Sequence, residues 1–112
     1  MASLIALLGA GKGSWGHVSR VIASAEWERV LLISNEWGKE KFNPPKDVDW
    51  IMVNNRAPFD VLVKELKEQL PKGEICVNLA SGAGKEHMAL IVALQESGKP
   101  FKIVTLTAGE TK

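Results

Sequence analysis

The sequence predicts a three-layer α/β domain built on a mainly parallel five-stranded sheet in the order 3-2-1-4-5. Three observations lead there. Five short apolar runs stand out, and most are continuous rather than alternating, as expected of strands covered on both faces. Helical patterns lie between several of them, and this alternation favours parallel strands joined by right-handed crossovers. Glycines cluster after the first and fourth runs. In that strand order the first and fourth strands are neighbours whose connections leave to opposite faces, and ligands bind beyond the carboxyl ends of such a pair.

The runs occupy residues 3–8, 30–33, 50–53, 75–79 and 101–106. After the first, Val18, Val21, Ile22 and Ala25 fall at helical spacing, in a helix that ends before Arg29. Residues 34–49 hold Trp37, Gly38 and the pair Pro44-Pro45, and admit either a short helix near 36–41 or a long loop. Phe59, Val63, Leu66 and Leu70 recur at intervals of four, three and four, with Lys64, Glu65, Lys67 and Glu68 on the other face. Pro58 suits the first turn of that helix, and Pro71 with Gly73 closes it. A further helix is expected over 85–97, stopped by Gly98 and Pro100. Its stretch 88–94 is apolar nearly all round, which predicts burial on two sides, the second against a partner subunit. The tail, 107–112, is short and polar and is expected to be loose.

The 112 residues make one domain, 1–112, long enough to bury a core without metal or disulfide support. A net charge of +1 argues against direct binding of long nucleic acid, yet leaves room for a small anion held by local geometry. Cys76 is the single cysteine, so neither an intrachain disulfide nor a cysteine metal cluster can form. Inside its apolar run it reads as a small buried hydrophobe. With only His17 and His87 as histidines, no metal site and no other cofactor is expected. The amino terminus lacks a basic leader region, and its apolar run at 4–8 is too short to span a bilayer. The expectation is a cytoplasmic protein without membrane contact.

The first glycine loop reads Gly9-Ala10-Gly11-Lys12-Gly13-Ser14-Trp15-Gly16-His17. Glycine lets the backbone turn tightly and approach a phosphate, and free amides at a helix start face the anion. Gly11, Gly13 and Gly16 fit a Gly-x-Gly-x-x-Gly pattern, and Glu36 lies twenty residues after Gly16, where a dinucleotide fold places its ribose-binding carboxylate. The P-loop pattern fails, because Gly13 stands where Ser or Thr is required. In the second loop, Asn78-Leu79-Ala80-Ser81-Gly82-Ala83-Gly84-Lys85-Glu86-His87-Met88, a strand again runs through small residues into a helix. Lys85 at that helix start opposes the helix dipole, which makes sense if an anion sits between them or if the lysine is simply solvated. Asn78 needs hydrogen-bond partners if buried, and pinning the loop backbone is one way to supply them.

Asn78, Ser81 and Gly82, with Lys85 and Met88 leading an apolar helix, resemble the fourth-strand motif of CRISPR-associated Rossmann-fold (CARF) domains. The resemblance extends to the strand-1 loop and the strand–helix alternation. It implies a stand-alone Rossmann-like homodimer that senses a cyclic oligoadenylate made by type III CRISPR systems in antiviral defence. The ligand-binding residues it implies are Gly9, Gly11, Lys12, Gly13, Ser14, Trp15, Asn78, Ser81, Gly82, Gly84, Lys85 and His87. Ala80 and Ala83 stand where the family carries hydroxyls. A symmetric, multiply charged ring is matched by a two-fold dimer presenting each loop twice.

Some relatives of that family, the ring nucleases, orient a ribose hydroxyl of the ring for attack on its phosphate without a metal. Such a reaction needs orientation and charge stabilisation more than a strong base. Ser14 and Lys85 are the candidates for that role here, so a ring nuclease is the alternative to a sensor that only binds. A small dinucleotide-binding protein and an interaction domain with no small ligand complete the alternatives. His17 and His87 read as structural hydrogen-bonders. Trp15 reads either as a base-stacking residue or as packing, and Trp27, Trp37 and Trp50 as packing or lid residues.

Overall fold

In the computed structural model of the protein, residues 1–54, 56–107 and 110–111 are described. The apolar runs become strands β1 (Ser3–Leu7), β2 (Val30–Ser34), β3 (Asp49–Met52), β4 (Ile75–Asn78) and β5 (Lys102–Ile103). They form an all-parallel sheet in the order β3-β2-β1-β4-β5, as expected. Helices α1 (Trp15–Ala23), α2 (Glu36–Lys41), α3 (Phe59–Lys67) and α4 (Gly84–Glu96) connect them.

The continuity of the apolar runs follows from two cores, one on each face. Because side chains alternate along a strand, Ile5, Leu7, Leu31 and Ile33 meet Leu62 and Leu66 of α3 and Leu90 and Leu94 of α4. Leu4, Ala6, Val30 and Leu32 face the other way, onto Val18, Val21 and Ile22 of α1 and onto Phe42. Full burial of each such aliphatic side chain contributes about 1.5–3 kcal/mol. Every residue of β1 is buried, so the loop that follows it leaves from the most constrained place in the sheet.

Several boundaries differ from expectation for identifiable reasons. The short helix of the 34–49 segment does form, because Asn35 Oδ1 accepts the Gly38 N–H at 2.9 Å and so caps α2. α3 stops at Lys67, ahead of Pro71: the Gln69 N–H reaches back only to Leu66 O, and Leu70 packs on the core instead of extending the helix. α4 ends as expected, with Lys99 N–H on Leu94 O and Gly98 N–H on Gln95 O, the Schellman pairing.

α4 itself is buried on one side within the chain. Ala89, Leu90, Ala93 and Leu94 are covered, Ile91 and Val92 are half-covered, and Met88 is 61% exposed. β5 is also shorter than the apolar run at 101–106. The Val104 N–H still reaches Val77 O at 2.9 Å, but its carbonyl is taken by the Asn78 side chain, and the strand leaves the sheet. The tail expected to be loose is paired instead: β6 (Leu106–Thr107) runs antiparallel to β7 (Glu110–Thr111), and the rest of 107–112 lies outside the described residues. Cys76 is half-buried rather than fully enclosed. Among the described residues no helix is long and apolar enough to cross a membrane.

Candidate functional site

The two glycine loops, far apart in sequence, meet at the carboxyl edge of the sheet because β1 and β4 pair directly, with Ala6 opposite Asn78. Ser81 joins them. Its hydroxyl accepts the Gly9 N–H at 2.8 Å and lies 2.8 Å from Ser14 Oγ, which is also 3.2 Å from Gly11 O. Ser81 is only 2% exposed, so this bond network sits beneath the loops. The chains approach so closely here that a Cβ on Gly9 would stand 2.8 Å from Gly82 N and 2.9 Å from Gly82 Cα. Gly82 has φ +96, in the left-handed region that favours glycine, and the imidazole of His87 closes over it.

Asn78 anchors the second loop from below. It is 1% exposed, and its Oδ1 accepts the Ala80 N–H at 3.2 Å while Nδ2 donates to Val104 O at 2.9 Å. Nδ2 also lies 3.1 Å from His17 Nε2. Since an amide nitrogen can only donate, His17 accepts through Nε2 and carries its proton on Nδ1. Thr105 Oγ1 stands 3.4 Å from the same ring nitrogen. His87 does the opposite: its Nε2–H donates to Ser81 O at 2.7 Å. Both histidines are therefore hydrogen-bonders within the loop framework. Among the described residues no cluster of metal-ligating side chains occurs.

Above this framework lies an exposed surface made of Gly11, Lys12, Gly13, Ala83, Gly84 and Lys85. A 3-10 turn, Lys12–Ser14, leads into α1, and neither Ser14 nor Ala83 caps the helix it precedes with a side chain. Two helix starts without side-chain caps thus meet at one edge, where the Trp15 N–H bonds Lys12 O and the Ala83 N–H bonds Glu86 Oε2, and the positive ends of the helix dipoles favour an anion. Lys12 Nζ stands 5.8 Å from the Trp15 ring centroid and 5.5 Å from that of Trp37, held over both faces. Lys85 Nζ donates to Ala57 O at 2.7 Å, across to the β3–α3 loop.

Of the residues picked out in sequence, Gly9, Ser14, Asn78, Ser81, Gly82 and His87 form the interlocking frame. Gly11, Lys12, Gly13, Gly84 and Lys85 form the accessible rim. Trp15 ties the frame to the α2 region: its indole N–H donates to Gly9 O at 2.9 Å and its ring packs 5.7 Å edge-on from Phe42 and 5.5 Å from Trp37. Glu36 opens α2 and lines a groove along α3 whose lining includes none of the glycine-loop residues. The small pocket that does adjoin Gly9 and Ala10 holds about 60 Å³, room for about two waters.

Sequence reasoning missed Glu86 and Thr105. Glu86 Oε2 accepts the Ala83 N–H at 3.1 Å, half of a capping box whose other half is absent because Ala83 has no acceptor. Thr105 had no local signal, since its position near His17 depends on where β5 leaves the sheet. No family model matches the chain, and a search of curated proteins finds no match either.

Proposed function

We propose that this protein is a homodimeric sensor domain of the CARF kind, binding a cyclic oligoadenylate or a related nucleotide second messenger at the two glycine loops. The observation that carries the reading is the Ser81 lock. It joins the loops that the resemblance singles out and brings two helix starts that lack side-chain caps, with Lys12 beside one and Lys85 within the other, to a shared rim. Backbone amides and two lysines suit phosphates without requiring a strongly basic protein. Dimerisation doubles this set and matches a symmetric ring. Met88, exposed on the outer side of α4, is the apolar surface such a pairing would cover.

Binding without turnover is favoured by Ser14, whose Oγ is held by Ser81 Oγ and Gly11 O within the loop junction rather than placed to orient a ribose hydroxyl.

The test is amide shift mapping by NMR during titration with cyclic tetra-adenylate and cyclic hexa-adenylate. Shifts concentrated at residues 11–16 and 80–87 support the reading, and shifts elsewhere or none at all remove it. Chromatography of the ligand after prolonged incubation separates the sensor, which returns it intact, from a ring nuclease.

A further inference from the structure

β3 is an edge of the sheet, and a groove runs along it on the side of α3. Its upper part, about 720 Å³, lies between the ends of β2 and β3 and the side chains of Glu65 in α3 and Glu68 just after it. Its lower part, about 340 Å³, shares Glu68 and Gln69 with the upper and follows β3 down to Asp49. The Val53 N–H bonds Ser34 O, so by strand alternation the N–H and C=O of Trp50 and Met52 point away from the sheet. The floor is apolar, with Leu31, Ile51 and Val53, and Met52 is 36% exposed. The walls carry Glu36, Glu65, Glu68 and Asp49. Among the described residues of the lining Arg29 is the one cation, and it is paired with Asp49 at 3.0 Å. Lys12 stands over Trp37 at the upper end.

We infer that this groove docks an extended, basic segment of a partner protein, which adds a strand to β3. The free backbone edge supplies ladder hydrogen bonds, the apolar floor receives alternate side chains, and the carboxylates pair with Lys or Arg. A second copy of this chain is the poorer occupant, because pairing β3 with its own symmetry mate sets the same carboxylates against each other. The groove uses different residues from the glycine loops, meeting them only where Lys12 stands over Trp37, and gives a sensor domain a surface through which to act on another protein.

The experiment selects from a random-peptide phage library on the full chain, then measures a winning peptide by fluorescence anisotropy and by hydrogen exchange. The expected winners alternate Lys or Arg with apolar residues and protect the Trp50 and Met52 amides. Charge reversal at Glu65→Lys, on α3 and half-buried, with Glu68→Lys, exposed at its carboxyl end, is expected to weaken binding about tenfold or more while changing the melting temperature little. Three results would overturn the inference: winners without basic residues, protection that maps elsewhere, or affinity indifferent to the charge reversal. Self-association of the chain through β3, seen by sedimentation and lost in the same variant, would overturn it too.

Discussion

Replacing Ser81 with alanine tests the lock between the two loops. The hydroxyl is nearly inaccessible and serves the Gly9 N–H and Ser14 Oγ at 2.8 Å each. Removing it leaves a half-buried backbone donor without its acceptor, at a cost of about 1–3 kcal/mol, and deletes the link to Ser14, worth about 0.5–1 kcal/mol. Gly9 retains some solvent access, which places the sum near the lower part of that range, about 2 kcal/mol. For a domain of this size the melting temperature falls by about 8 °C. Ser14→Ala loses only the outer link and should fall by no more than about half as much. Thermal and urea melts of both single variants and the double variant form a cycle, with an expected coupling of about 0.5–1.5 kcal/mol. A Ser81→Ala protein as stable as Ser14→Ala, or a coupling near zero, would refute the claim that Ser81 holds the loops together.

Other substitutions separate frame from rim. Gly9→Ala forces a methyl onto the Gly82 backbone and should destabilise by about 1–3 kcal/mol in urea titration, whereas Gly13→Ala meets nothing within 4 Å and should stay within about 0.5 kcal/mol. Asn78→Leu strands Val104 O and the Ala80 N–H, and should lower stability by about 2–4 kcal/mol, read from the midpoint of chemical denaturation. Burial pushes the Cys76 thiol up, Lys102 lowers it and Glu74 adds to the rise. The folded chain therefore holds that proton to higher pH than the unfolded chain, and any stability this gives fades as pH rises through the folded value. Ellman's reagent should accordingly react more slowly with folded protein than with urea-unfolded protein at neutral pH, and equal rates would contradict the assignment.

The strand order was legible because two kinds of signal agreed: unbroken apolar runs that demand two covered faces, and glycines placed after the two runs that become central neighbours. Leu4 and Ile5 illustrate the first, adjacent in sequence yet buried in different cores. The loops could be named from glycine content, but not their junction. Ser81 was a motif residue, and nothing local told that its hydroxyl would be committed to Gly9 across the β1–β4 pairing. Trp15 could not be assigned in advance, since stacking on a ligand and packing on Phe42 ask for the same flat ring. The short length of β5 was hidden as well. Residues 101–106 are hydrophobic enough for a longer strand, yet Val104 O bonds the Asn78 amide where the strand ladder would otherwise continue. Long-range side-chain to backbone bonds of this kind leave no periodic trace.

The most direct test of the account is calorimetric titration of the purified protein with cyclic tetra-adenylate and cyclic hexa-adenylate, with NAD and AMP as controls and Lys12→Ala as the rim variant. Tight binding of one cyclic ligand per two chains, weakened by loss of Lys12, is the expected result. Absence of heat with both rings would contradict the sensor reading while leaving the fold and the Ser81 lock as described.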